Sequence, residues 1–193
     1  MDIDRNLFWK LLEPEHQKAR AFCRKLMANR DDGDDLYQDS LVCALSGIRS
    51  LRKIKAIRPW LYKIIINSFK NRCRRPWWKR FVPITADIRE MPDNSNMAAM
   101  YAARRRLERA FQALNADDRA LVVLRELQGW TISELAVLYD KSESNLKVRL
   151  FRARRKMRQA LIRHFKESEQ QTETLKIQSK EKICVVTKPG EDF

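Results

Sequence analysis

Five carboxylates, Asp31, Asp32, Asp34, Asp35 and Asp39, stand within nine residues of an otherwise strongly basic chain. Acids beside and within a helix start complement the positive end of its dipole, which explains part of the cluster without any partner. So dense a patch also makes a docking surface for a cationic protein. Carboxylates at this spacing, with no histidine beside them, match neither a calcium loop nor a catalytic metal pattern.

The second group has the opposite sign. From Leu146 to Arg163 the chain carries Lys147, Arg149, Arg152, Arg154, Arg155, Lys156, Arg158 and Arg163, with no acid between them. Leu146, Leu150, Ala153, Met157 and Leu161 recur at helical spacing and take the inner face, which leaves the cations toward solvent. A solvated helix normally mixes signs, whereas a one-signed face fits phosphate. A third tract, between Ser40 and Ala86, also lacks acids. It holds Arg49, Arg52, Lys53, Lys55 and Arg58, then Lys63, Lys70, Arg72, Arg74 and Arg75. Trp60, Tyr62, Asn67 and Asn71 are interleaved with them. Rings and amides beside cations suit unstacked bases, although Trp60 fits a core position equally well.

Bulk properties point the same way. With 193 residues there is room for one ordinary domain or two small ones. A net charge of +15 favours a polyanionic partner, nucleic acid or an anionic membrane surface. No run of about 18 apolar residues occurs to span a bilayer. The opening Met1-Asp2-Ile3-Asp4-Arg5 is unlike a signal peptide, so a cytoplasmic protein is expected. Cys23, Cys43, Cys73 and Cys184 lack paired metal-ligand spacing, and Cys23 and Cys43 read as small buried hydrophobes. His16 and His164 are far apart. No metal, cofactor or catalytic residue is expected.

The elements that must position these groups are helical. Only four glycines occur and helix formers dominate, so the expected fold is all-α. Leu7, Phe8, Leu11 and Leu12 open a first helix, with Pro14 at a start or break before Ala19, Phe22, Cys23 and Leu26. Asn29 to Gly33 reads as a turn. A helix follows from about Asp34 to Ile48, with Tyr37, Leu41, Ala44, Leu45 and Ile48 inward. After a basic loop from Arg49 to Arg58, Pro59 starts a helix that runs to about Arg74. The stretch from Pro76 to Asn96 holds Pro76, Pro83 and Pro92 with little periodicity. It reads as a flexible linker, giving two small helical domains: residues 1–76 and 98–165, joined by 77–97.

In the second domain Leu107, Ala110, Phe111 and Leu114 mark one helix and Asp118 to Leu127 another. Gly129 makes a turn. Thr131 with Glu134 is a capping box for a short helix over Thr131–Tyr139, with Ile132, Leu135, Ala136 and Leu138 inward. Asp140 takes a tight break, and Ser142 caps a longer helix ending near Phe165. Short helix, tight turn, longer helix is the helix-turn-helix, whose second helix enters the major groove. Residues 166–193 are polar and are expected to be largely disordered.

Three segments then resemble one family. Asp34-Asp35-Leu36-Tyr37-Gln38-Asp39 is similar to the D-D-L-V-Q-E segment of bacterial sigma factors. Arg58-Pro59-Trp60-Leu61-Tyr62-Lys63-Ile64, with Asn67 beyond it, resembles their A-W-L-Y-R-I helix. Ser142 to Leu161 resembles their G-T-V-K-S-R-L-H-R-A-R helix. The resemblance spans about residues 5–165, and the lack of a module between the two domains points to the extracytoplasmic-function group.

That resemblance implies a non-enzymatic subunit that directs RNA polymerase to promoters. Asp34, Asp35, Leu36, Gln38 and Asp39 would bind the core polymerase, at the clamp helices of its largest subunit, with the flap of the second-largest subunit as a further contact. Leu51, Arg52, Lys53, Lys55, Trp60, Lys63, Asn67, Lys70, Asn71 and Arg74 would take the −10 element, capturing a flipped base of the non-template strand. Ser142, Ser144, Asn145, Lys147, Val148, Arg149, Arg152 and Arg154 would take the −35 element. Of these, Lys147, Val148 and Arg152 would lie nearest the bases, and Arg149 and Arg154 would hold phosphates or the fold. An anti-sigma factor is an expected partner. Three departures stand out: Val148 replaces a small polar residue, Asp140 the turn glycine, and Pro59 stiffens the base-capturing loop. Two other classes fit less well. An ordinary helix-turn-helix regulator has no use for the Asp34–Asp39 cluster, and a nuclease would need a phosphate loop or metal-ligand histidines.

Overall fold

The computed structural model describes residues 5–27, 29–51, 53–75 and 97–186. Among them seven α-helices run in order: α1 (Arg5–Met27), α2 (Arg30–Gly47), α3 (Ile57–Arg74), α4 (Met97–Gln112), α5 (Ala116–Val122), α6 (Ile132–Tyr139) and α7 (Glu143–Val186). Short 3-10 turns at Ile48–Ser50 and Ile54–Ala56 bridge α2 to α3. A π-helical turn, Val123–Leu127, extends α5. The all-α reading holds, and α1–α3 and α4–α7 make the two helical domains. The expected linker, including Pro76, Pro83 and Pro92, lies almost wholly outside the described residues.

Helix α1 buries Phe8, Leu12, Ala19, Phe22, Cys23 and Leu26 completely or nearly so. Pro14, expected at a start or break, sits inside this continuous helix. A proline there removes one backbone hydrogen bond at a cost of about 3 kcal/mol. Six buried side chains on one face, each contributing roughly 1.5–3 kcal/mol in its larger members, outweigh that cost.

The expected turn at Asn29–Gly33 is a helix start instead. Asn29 caps α2 by accepting a hydrogen bond from the Asp31 N–H at 3.0 Å. Gly33 lies within the helix because α1 crosses there: a Cβ at this position would stand 2.4 Å from the Arg24 Cα. Only glycine lets the two backbones come so close. The inner face of α2 is Gly33, Leu36, Tyr37, Ser40 and Ala44. Ser40 is buried yet satisfied, donating to the Leu36 carbonyl at 2.7 Å. Cys43, read as buried, is exposed, because it lies next to Ala44 but a hundred degrees off that face. Cys23 is buried as expected.

In α3, Pro59 is the third residue rather than the first, still within the turn whose N–H groups have no helical partner. Leu61, Tyr62, Ile65, Ile66 and Phe69 face inward. In the second domain Ala110, Phe111 and Leu114 are buried, whereas Leu107 is 48% exposed. Helix α7 does not end near Phe165: it continues to Val186, so residues 166–186, expected to be largely disordered, are helical. Between Glu143 and Val186 there is neither glycine nor proline, and the Glu, Gln, Lys and Leu of this stretch favour helix.

The two domains pack directly on one another, and their buried apolar residues form one continuous cluster. The seam is specific. Tyr62 of α3 lies between Phe22 and Trp130, with ring centroids 5.3 and 4.8 Å away. Trp130, in the turn before α6, is held by its N–H bonding to the Leu124 carbonyl at 3.1 Å and its own carbonyl accepting from Arg125 at 2.8 Å. Arg58 lies 4.2 Å over the Trp130 ring and donates to Glu134 at 2.6 Å. Lys70 pairs with Asp117 at 3.0 Å, and Lys25 donates to the Leu127 carbonyl at 3.0 Å. The Arg119 guanidinium sits between the Phe69 and Phe111 rings.

Candidate nucleic-acid interface

The helix-turn-helix is built by local chemistry. The Thr131 hydroxyl accepts from the Glu134 N–H at 3.1 Å, and the Glu134 carboxylate accepts from the Thr131 N–H at 2.8 Å. That backbone bond, with the Arg58 guanidinium beside it, holds the Glu134 carboxyl below its ordinary range. Asp140 ends α6 in the left-handed conformation, with φ 51° and ψ 54°, so it does stand in for glycine. Ser142 starts α7 by accepting from the Asn145 N–H at 3.3 Å. A bond from Ser133 to Glu143 at 2.6 Å ties the two helices together.

On α7, Leu146, Leu150 and Ala153 are buried and Met157 packs against the core. Ser142, Ser144, Asn145, Lys147, Val148 and Arg152 are all exposed, as the spacing requires of a groove-reading face. Arg149 is different. It donates to Asp118 at 2.8 Å and lies 5.6 Å from the Tyr139 ring centre, so it holds α7 to α5 and α6. Burial pushes the Tyr139 hydroxyl up from its ordinary range. Arg154 pairs with Glu126, and Lys156 stands 3.9 Å from Asp118. Arg152, Arg155, Arg158 and Arg163 have no ion-pair partner among the described residues. Sequence reasoning overlooked Phe151, which is 66% exposed beside Val148. Its signal was present: it lies off the buried stripe of Leu146, Leu150 and Ala153.

The acidic cluster divides in two. Asp34 accepts four hydrogen bonds, from Arg20 at 2.9 and 2.7 Å and from Arg24 at 2.7 and 2.7 Å. The guanidinium of Arg24, then that of Arg20, hold its carboxyl far below the usual carboxylate range. Leu36 is buried in the core. These two are parts of the α1–α2 joint. Asp31, Asp35, Gln38 and Asp39 remain on the exposed face at helical spacing. Asp39 is bonded by Arg72 at 3.2 Å but keeps most of its surface in solvent.

Of the expected −10 set, Leu51 is buried, and Arg52 lies outside the described residues. Lys53 is exposed; Lys55 falls in the second 3-10 turn. Trp60 is half-buried against the core. Lys63 reaches the Leu138 carbonyl at 3.5 Å, and Lys70 is the cation paired with Asp117. Asn67, Asn71 and Arg74 are exposed. Among the described residues no group of three or more His, Cys, Asp or Glu side chains could hold a metal, and no helix is long and apolar enough to cross a membrane.

A capped, glycine-free helix-turn-helix, whose second helix runs without an acid from Leu146 to Arg163, defines a DNA-binding protein of two helical modules. Comparison with known proteins names the class. Residues 11–79 match the family model "Sigma-70 region 2" and residues 104–157 match "Sigma-70, region 4". The chain is 30% identical over 151 residues to the ECF RNA polymerase sigma-E factors of Salmonella typhimurium and of Escherichia coli K12, covering 72% of this chain and 78% of theirs. It is 28% identical to the ECF RNA polymerase sigma factor SigM of Mycobacterium tuberculosis, over 82% of this chain and 79% of that one. In fold it is similar to the sigma factor RpoE from Bartonella quintana, solved with the anti-sigma factor NepR. That match has a TM-score of 0.56 at 23% identity, covering 80% of this chain and 96% of the other. The chain belongs to the ECF sigma factors of RNA polymerase. Its function is promoter-specific initiation of transcription, and its family consists of transcription regulators, not enzymes.

Proposed function

We propose that the two domains divide promoter recognition between them. Residues 98–165 read the −35 element through α7, with Lys147, Val148 and Arg152 toward the bases and Arg154 toward phosphate. Val148, and Phe151 beside it, offer apolar contact to thymine methyls. Residues 1–76 capture and melt the −10 element through the turns before α3 and its exposed Asn67, Asn71 and Arg74. Residues 77–97 span the two. The exposed acids of α2, Asp35 and Asp39 with Gln38, dock on the clamp helices of the core polymerase, and the second domain meets the flap. Asp34 and Leu36 act beneath that face, holding it in shape. The setting is the cytoplasm, and an anti-sigma factor is a fitting regulator.

The observation that carries this reading is the exposed face of α7 with Lys147, Val148 and Arg152, in a stretch from Leu146 to Arg163 that holds no acid, behind a helix-turn-helix capped at Thr131, Asp140 and Ser142. In-vitro transcription with the cognate core enzyme over fragmented genomic DNA tests it. Start-site-specific transcripts are expected, with −35 and −10 sequences shared among them. Asp35→Lys should abolish capture of core polymerase in a pull-down while leaving the fold intact. Unchanged capture would refute the docking assignment.

A further inference from the structure

Glu143 opens α7 as an exposed acid, and the next acid along the chain is Glu167. The helix start explains part of its presence, since a carboxylate there complements the positive end of the dipole. Its side-chain partners add something more. One carboxylate oxygen, Oε1, accepts from the Ser133 hydroxyl of α6 at 2.6 Å. The other, Oε2, lies 3.8 Å from the Lys147 ammonium, one turn further along the same helix. Glu143 and Lys147 keep 47% and 65% of their side-chain surface in solvent, so both remain open to a ligand.

Fold stability gives little reason for this triplet, because an exposed ion pair on one helix contributes little. Toward the phosphates of DNA the carboxylate is unfavourable by charge. The N-terminal residues of a recognition helix are, however, the ones that meet base edges. There a carboxylate is favourable before an amino group and unfavourable before the acceptor-only edge of guanine. An ammonium has the converse need. Held side by side, the two match a base pair that presents an amino donor next to two acceptors. Cytosine N4 beside guanine O6 and N7 is that arrangement. An A·T pair sets adenine N6 between N7 and thymine O4, so the ammonium would find one acceptor instead of two.

We propose that Glu143 is a specificity-determining residue: with Lys147 it reads one G·C pair of the −35 element, Glu143 accepting from cytosine N4 and Lys147 donating to guanine O6 and N7. Ser133 is a positioning residue, whose hydroxyl holds Oε1 and leaves Oε2 beside Lys147. The same carboxylate acts against wrong sites, where guanine or thymine in place of that cytosine would face it with acceptors alone. The triplet is a matter of geometry, whereas its use on bases rests on the placement of α7 in the −35 major groove.

The test measures binding of holoenzyme, formed from the full chain and the cognate core, to promoter fragments in which each −35 base pair is replaced in turn. Wild type should prefer G·C at one position by about tenfold, and Glu143→Ala should cut that preference to about twofold while leaving the other positions unchanged. The same variant should bind a scrambled fragment more tightly, with a salt slope steeper by about 1, as Lys147 is released to phosphate. Glu143→Gln should move the preference at that position toward A·T, since an amide pairs with adenine. Ser133→Ala should give an intermediate loss at the same position and nowhere else. A structural link alone would weaken every fragment alike, and that result for Glu143→Ala overturns the proposal. Base selectivity that Glu143→Ala leaves intact at every position overturns this assignment and spares the reading of α7. A wild type indifferent to every −35 pair overturns both.

Discussion

Helices α3 and α7 are both rich in cations, yet among the described residues they differ in where the partners of those cations come from: α3 finds acids on the other domain, α7 only within its own. On α3 four basic side chains have protein partners, Arg58 on Glu134, Lys63 at a carbonyl, Lys70 on Asp117 and Arg72 on Asp39, and Arg74 at its end is exposed. On α7 the residues that look outward from the helix-turn-helix are exposed: Arg152 has no ion-pair partner among the described residues, and Lys147 has only Glu143, 3.8 Å away on its own helix. Charge in a sequence therefore locates a potential anion-binding surface without saying whether it is accessible. Accessibility is decided by which neighbour has acids at the matching positions, and here the second domain supplies Asp117 and Glu134.

Substitutions can break this contrast, beginning with the largest. Trp130→Ala removes a ring that is 2% exposed and lies against Tyr62 and Arg58. It should cost about 3–5 kcal/mol in denaturant unfolding. Phe151→Ala, an aromatic truncation on the open face of α7, should stay within about 0.5 kcal/mol of wild type. Comparable losses for the two would erase the distinction between the buried seam and the open helix.

Asp34→Ala comes next. It strands Arg20 and Arg24 side by side and should lower stability by about 2–3 kcal/mol, read by thermal melting. The pH dependence has a definite sign. Because the folded carboxyl titrates below its unfolded value, its stabilisation is complete above the ordinary carboxylate range, near pH 4, and is lost as pH falls below it. Wild type should thus lose stability more steeply on acidification than Asp34→Asn does. Parallel acid limbs would count against the joint.

The third experiment compares arginines on α7. Arg152→Ala should weaken binding to a cognate −35 duplex by about 1–3 kcal/mol and relax its discrimination, measured against a scrambled site. Arg154→Ala should weaken both duplexes alike and reduce the salt slope by about 1 at most, since Glu126 already offsets part of its charge. Equal effects at specific and scrambled sites for both variants would refute the assignment.

Much of the fold was legible because local rules sufficed. The capping box at Thr131 and Glu134, the left-handed Asp140 and the Ser142 cap each involve residues at most three apart, and all are present. Gly33 and Pro14 misled for one reason: their usual role as breakers yields to packing when a helix meets a neighbour, which is a long-range fact. Cys43 shows the limit of composition, since an apolar type adjacent to a buried position was taken for a buried one. The site was legible in kind but not in availability. Leu36 and Asp34 carry the family pattern, yet the core and two arginines claim them. The Arg58–Glu134 ion pair joins residues 76 apart in sequence, and no periodicity encodes such a pairing.

The length of α7 has one more consequence. Forty-four residues of unbroken helix extend about 66 Å at 1.5 Å per residue, most of it past the turn that sets the reading face. The segment proposed to meet promoter bases and the segment near Val186 belong to one continuous helix. A tilt or twist imposed at the far end is transmitted to Lys147 and Arg152 as a lever moves its tip, so a grip on that distant stretch would steer how the protein lies on its promoter.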